Sequence, residues 1–248
     1  MIILSTHISE HEMQILSKET LTLGGFAGLR EHRIVTDSKL FGQHKSPETS
    51  DGLGNFVYLA DAQFNPLGQT GMHSHLEIDV ISVMIDGRVS HAGSLENGQG
   101  LEAGDVQVQR AGGEGFSHNE INPDSQKNRM IQLWALPEQK GQPAGYKYYS
   151  PEAAGVTRIY GGSKQQSDTF DNSTIVDIAI LKADTSIQLP KESLVYVTGG
   201  NAEIVEMDDT QTVRDGDLIR SHNSTVKAIT ELSLIVVHQE TQPLRKRK

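Results

Sequence analysis

Val83-Met84-Ile85-Asp86-Gly87, followed by Gly104-Asp105-Val106, is the stretch that decides the fold, because it occurs twice. Val195-Tyr196-Val197-Thr198-Gly199, followed by Gly216-Asp217-Leu218, repeats it. In both copies the two glycines stand 17 residues apart, and one offset of 112 residues relates the copies. Each copy reads as an apolar strand ending in a glycine turn, two short strands, and a Gly-Asp turn. A strand-and-turn unit repeated at long offset points to duplicated β-domains.

The flanking sequence fits that reading. Phe56-Val57-Tyr58-Leu59-Ala60 and Val80 to Ile85 read as buried strands, and Val106-Gln107-Val108-Gln109 and Met130 to Leu136 alternate at period two. Asn97-Gly98, Ala103-Gly104-Asp105 and Ala111-Gly112-Gly113 are turn signals at the spacing of a sandwich or barrel. Residues 44–54 (HKSPETSDGLG) read as a polar surface loop. Residues 137–145 (PEQKGQPAG) read as a linker, which sets the expected division at 1–140 and 141–248. Helix is scarce, with one or two short turns expected, for example near Pro151 to Ala154.

Two histidine clusters interrupt this apolar pattern: His73-Ser74-His75 and His118-Asn119-Glu120. On a strand, residues i and i+2 share a face, so each cluster can aim two donors at one point. Three imidazoles and a carboxylate suit a divalent first-row metal and leave coordination positions open for substrate or O2. The alternative is that these side chains bond loop backbones around an empty pocket. The 112-residue offset carries His73, His75, His118 and Glu120 onto Thr185, Ile187, Thr230 and Leu232, so a metal belongs to the first domain alone. Trp134 reads as a packing residue and His91 and His222, which have no second histidine at i, i+2 spacing, as surface or hydrogen-bonded histidines. Gly112, Gly113 and Gly115 form a tight turn presenting His118, with Phe116 lining the pocket or packing beneath that turn.

The bulk composition narrows the function classes. The 248 residues are 36% hydrophobic and 22% charged, with a net charge of −10. An acidic surface repels the phosphate backbone, so direct nucleic-acid binding is not expected. The basic run Arg245-Lys246-Arg247-Lys248 reads as a solvated terminus. The absence of cysteine excludes disulfides and thiolate metal sites. Residues 1–12 (MIILSTHISEHE) show no secretory pattern, and no stretch approaches the roughly 18 apolar residues of a membrane span. A cytoplasmic monomer is the expectation.

The stretch His73-Ser-His-Leu-Glu-Ile-Asp-Val-Ile-Ser-Val-Met-Ile-Asp-Gly87 resembles the signature of the pirin family. That signature reads His-Pro-His-Arg-Gly-Phe-Glu before an apolar strand ending in Glu-Gly. Val89-Ser-His-Ala-Gly-Ser94 resembles the family's next strand, and Gly104-Asp-Val-Gln107 with Ala111-Gly-Gly-Glu-Gly-Phe-Ser-His-Asn-Glu120 resembles its following segments. Gln132-Leu-Trp-Ala-Leu-Pro137 is similar to its Gln-Leu-Trp stretch. The resemblance covers residues 56–137. It implies an all-β bicupin, two β-sandwich barrels with a single metal centre in the first. It also implies the ligands His73, His75, His118 and Glu120, and Fe(II) as the metal, with Ni, Mn, Cu and Zn as alternatives. Some pirin-like bicupins have lost the His-x-His pair; this chain keeps all four ligands. It departs from the signature at Leu76-Glu77-Ile78-Asp79, where the family's glutamate becomes the shorter Asp79. Alternation from His75 would put Asp79 on the ligand face, orienting an imidazole, or leave it a solvated acid.

The resemblance implies two readings. One is a quercetinase-type dioxygenase opening a flavonol or related enol with O2, with Glu120 as the proton acceptor. The other is a non-enzymatic, metal-dependent regulatory module acting through a protein partner. A metal-free scaffold is the third and blandest.

Overall fold

In the computed structural model the described residues are 13–95 and 100–240. The readings of residues 1–12, of Asn97-Gly98 and of the basic tail lie outside them. The architecture is all-β, as the repeat requires. Strand labels below count along the chain.

One large antiparallel sheet runs β12 (Gly145–Tyr149), β9 (Val106–Arg110), β6 (Asp79–Asp86), β11 (Arg129–Ala135), β4 (Phe56–Phe64), β3 (Leu29–Thr36), β2 (Leu23–Phe26). The other runs β1 (Gln14–Ser17), β19 (Asp217–His222), β16 (Glu192–Gly199), β21 (Leu232–Gln239), β14 (Asn172–Leu181), β13 (Gly155–Gly162). Against the first lies the small sheet β5 (His73–His75), β10 (Phe116–Ile121), β7 (Arg88–Gly93), β8 (Gly100–Glu102). Against the second lies β15 (Ser186–Gln188), β20 (Thr225–Ala228), β17 (Asn201–Glu206), β18 (Asp209–Arg214).

The duplication is visible in these orders. The order β9-β6-β11-β4-β3 recurs as β19-β16-β21-β14-β13, and β5-β10-β7-β8 as β15-β20-β17-β18, each strand ten positions later. The Gly-Asp turns match in conformation as well: Gly104 has φ 94° and Gly216 φ 90°, a left-handed geometry that side chains resist. The halves also exchange edges. β1, near the start of the chain, pairs with β19, and β12, which follows the 137–145 segment, pairs with β9.

The two large sheets pack face to face over one core. Ile81, Val83, Val108, Ile131 and Leu133 from the first meet Val176, Ile178, Tyr196, Ile235 and Val237 from the second. Along β6, Val80, Ser82 and Met84 point into the first barrel, while Asp79, Ile81 and Val83 point at the other half. With both faces covered, the strand reads as a near-continuous apolar run. Polar ties cross the same plane. Asp61 accepts from the Tyr196 hydroxyl at 2.7 Å and pairs with Arg129 at 2.6 Å and Lys18 at 3.0 Å.

Two local expectations need correction. The short α-helical turn is Ser38–Phe41, capped by the Asp37 carboxylate accepting from the Lys39 amide at 2.8 Å; residues 151–154 form no helix. The single 112-residue offset also fails beyond the Gly-Asp turns. β7 and β17 share an alternating burial that places His91 and Ile204 inside. His91 stands opposite Glu120, and Ile204 opposite Val226, so Val226 is the counterpart of Glu120 and Ser224 that of His118. Ser224 bonds Leu189 through the backbone at 2.9 Å, which makes Leu189 the counterpart of His73. The offset falls from 112 to 106 because seven residues, 111–117, separate Arg110 at the end of β9 from His118, whereas Asn223 alone separates His222 at the end of β19 from Ser224. None of these counterparts is an imidazole or carboxylate.

Candidate metal centre

β5 and β10 are short antiparallel neighbours with His118 opposite His73 and Phe116 opposite His75. Alternation on β10 buries Phe116, His118 and Glu120 and turns Ser117 and Asn119 outward. His73 and His75 share one face of β5, so the register brings three rings together. The Nε2 atom of His118 lies 2.9 Å from Nε2 of His73 and 3.1 Å from Nε2 of His75. All three residues offer a ligand atom within 4.8 Å of one another.

That spacing fits a metal. Two nitrogens held about 2.0–2.1 Å from one ion at a right angle stand about 2.9 Å apart. The rings also present lone pairs inward. Nδ1 of His73 lies 2.9 Å from the Gly71 carbonyl, which only accepts, so that nitrogen carries the proton and Nε2 is the free donor. Nδ1 of His118 is bonded at 2.8 Å to Nε2 of His91, a residue almost wholly buried on β7. Burial pushes His118 down to about 2, with the charges of His73, His75 and His91 opposing its protonation further. Burial and His73 likewise lower His75 to about 4. Both are unprotonated donors at neutral pH.

Glu120 stands apart from this triad. It is not one of the three grouped ligands; its carboxylate accepts from Ser82 Oγ at 3.3 Å and Gln132 Nε2 at 3.4 Å. Ser82 Oγ accepts in turn from Gln107 Nε2 at 3.4 Å. Burial without a cation lifts the Glu120 carboxyl to about 7, although the bonds from Ser82 and Gln132 work the other way. The structure brings together His73, His75 and His118 and sets Glu120 apart from them, buried between Ser82 and Gln132.

Asp79 does not face this site. It sits among the interface-facing residues of β6, accepts from the Tyr160 hydroxyl at 2.7 Å, and lies 3.8 Å from Arg110 Nε. The alternation count from His75 is broken at Glu77, whose φ is 52°, between the end of β5 and the start of β6. The residue that does hold a ligand imidazole is His91. No spacing rule marks it, since its place follows from the β7–β10 register that sets it opposite Glu120. His222 lies at the end of β19, half-buried.

The surroundings combine fixed and apolar parts. Trp134 stacks on Tyr58 at 4.2 Å between centroids and meets His75 edge-on at 5.8 Å. The glycine turn that precedes β10 is latched by the 137–145 segment, where Gly113 N donates to Gln142 O at 3.0 Å. Outside, Phe26 stands edge-on to His73 at 6.5 Å, and Met72 and Leu76 flank the two β5 histidines with more than 60% of their surface exposed.

Comparison with known proteins agrees with this fold. The sequence profile of the pirin family matches residues 37–135. A Pseudomonas aeruginosa protein provisionally named quercetin 2,3-dioxygenase is 32% identical over 157 residues, spanning 58% of this chain and 67% of the relative. Escherichia coli K12 quercetin 2,3-dioxygenase is 32% identical over 78 residues, a match that spans 33% of that protein. A pirin-like protein of Caulobacter vibrioides is 29% identical over 175 residues, 66% of this chain and 75% of the relative. Among solved structures, the Escherichia coli bacterial pirin YhhW in complex with nickel(II) superposes with a TM-score of 0.77 at 16% identity. That match covers 93% of this chain and all of YhhW. Among the described residues no helix is long and apolar enough to cross a membrane.

Proposed function

The chain belongs to the pirin family, and on that footing we propose that it is a metal-dependent oxygenase of the quercetinase type. The observation that carries the reading is that Nε2 of His118 stands about 3 Å from Nε2 of His73 and of His75, with burial keeping His118 and His75 unprotonated. His73, His75 and His118 would hold one divalent ion, Fe(II) being the metal we favour over Ni, Mn, Cu or Zn. Glu120 is the fourth residue of the set. When bound, the metal supplies Lewis-acid and redox activation of an enolic oxygen and O2.

The chain's own residues supply the rest. Glu120, a buried carboxylate beside the histidine strand, is the group of this chain that would take a proton from a flavonol 3-hydroxyl. The Ser82 and Gln132 bonds hold that carboxylate in place. Phe26, Met72 and Leu76 form an apolar rim suited to a flat aromatic body. Ring opening would insert both atoms of O2 into the flavonol, releasing carbon monoxide and a depside. The test is elemental analysis of wild type beside His73→Ala and His118→Ala, followed by oxygen uptake with quercetin on protein loaded separately with Fe(II), Ni(II), Mn(II) and Cu(II). Stoichiometric metal lost in both variants, with uptake in the wild type, is the expected result. Metal without uptake under any loading rejects the oxygenase.

The same exposed rim favours one second reading, a metal-dependent surface for a protein partner. It predicts a partner recovered with loaded wild type and lost with His73→Ala, without oxygen uptake.

A further inference from the structure

The second barrel has no donors where the first gathers its histidines, yet its mouth is not filled. Leu189, the counterpart of His73, joins Ile187, Ala179, Pro190 and Val236 around a cavity of about 450 Å³, within the range of small-molecule pockets. One polar cluster lies in this apolar wall. Arg158 Nε donates to Asp177 Oδ1 at 3.2 Å, and His238 Nε2 donates to Asp177 Oδ2 at 2.9 Å. Asp177 and His238 are nearly buried, while Arg158 is 48% exposed.

The bonding decides the sign of the site. Asp177 is the one acid lining the cavity, and each of its oxygens is already engaged. Arg158 meets Asp177 through Nε, and its two terminal nitrogens have no protein partner among the described residues. On a chain of net charge −10, Arg158 lines this mouth with both terminal nitrogens free of protein hydrogen bonds among the described residues. A guanidinium fork matches the two oxygens of a carboxylate. In the first barrel the corresponding rows carry Arg33 for Arg158 but Ala60 for Asp177 and Gln132 for Val236, so the carboxylate that holds the guanidinium is particular to the second.

We propose that the mouth of the C-terminal barrel is a second, metal-independent site that binds a small organic carboxylate. The carboxylate pairs with the terminal nitrogens of Arg158, and its apolar body lies against Ile187, Leu189 and Val236. Asp177 and His238 act as positioning residues that hold the guanidinium toward the cavity.

The probe is phenylacetate, titrated into the full chain by calorimetry and by NMR, with phenylacetamide as the uncharged control. Saturable one-to-one binding with a dissociation constant below about 1 mM is expected, at least tenfold tighter than the amide. Arg158→Gln weakens it at least tenfold, the loss of a charge-assisted pair. Val156→Glu, at a half-exposed position on the rim, weakens it through like charge without touching Arg158. Both variants keep the β-sheet circular dichroism and metal content of the wild type, which separates this site from the histidine centre. Chelator-treated protein binds phenylacetate as the untreated protein does. Equal affinity for the amide, unchanged binding in Arg158→Gln, or loss of binding on chelation overturns the proposal.

Discussion

Asp79→Asn is expected to stabilise the protein, and to do so more as pH rises. Asp79 is fully buried between the halves, and burial lifts its carboxyl to about 6 despite the Tyr160 hydroxyl bond and the Arg110 charge, which both act downward. An unfolded aspartate near 3.9 lifted to about 6 corresponds to about 3 kcal/mol. The folded protein holds the proton more tightly than the unfolded chain. The favourable contribution is therefore complete below about pH 4 and is lost as pH rises through about 6. Asparagine mimics the protonated form: its carbonyl still accepts from Tyr160, and it has no proton to lose. Arg110 keeps the Asp171 carboxylate at 3.0 Å. The advantage of the variant should grow by about 1.5 kcal/mol between pH 5 and pH 8. Urea unfolding of both proteins at those two pH values measures it, read at constant m. A variant less stable at pH 8, or a gap that does not move with pH, would refute the argument. Either result would mean that Asp79 is held as a carboxylate by Arg110.

Three further outcomes follow from the same contacts. His91→Ala should weaken nickel or cobalt binding about 10- to 100-fold, and His91→Gln, which can still accept from Nδ1 of His118, should restore most of it; titration with a cobalt absorption readout checks both. Tyr196→Phe should destabilise the chain by about 1–3 kcal/mol, because buried Asp61 loses a hydroxyl donor. Denaturant melts measure it, and metal content should not change. Gly93→Ala should displace β10, since a Cβ there would lie 2.3 Å from the Ser117 carbonyl oxygen and 2.9 Å from Cα of His118. The expected sign is reduced metal occupancy in a protein that keeps its β-sheet circular dichroism.

The fold was legible because its punctuation is written in residues with special backbone demands. Gly104 and Gly216 hold the left-handed turns that divide each copy, and the apolar runs before them become β6 and β16. His73, His75 and His118 were legible for the same reason, since i, i+2 spacing on a strand survives any detail of packing. What escaped depends on pairing between strands distant in sequence. His91 acquires its partner from the β7–β10 register, and Asp79 changes face because Glu77 takes a positive φ. The second-half counterparts of the ligands shifted because the loop before β10 is longer than the loop before β20.

The two barrels also supply an internal control on the site. Register makes Ser82, His91, Gln107, Glu120 and Gln132 of the first equivalent to Val195, Ile204, Ile219, Val226 and Val236 of the second. The second set is aliphatic and packs as one core, whereas the first is polar and buried in the same places. Burying a polar group in place of a packed aliphatic costs about 1–3 kcal/mol when its partners are imperfect, and the bonds among these five run long, at 3.3–3.4 Å. The same strand lattice can evidently be filled with valine and isoleucine. A row of polar side chains beside three clustered imidazoles is therefore not a demand of the fold. Its chemical sense lies in the histidine cluster beside it, a set of donors that the second barrel lacks.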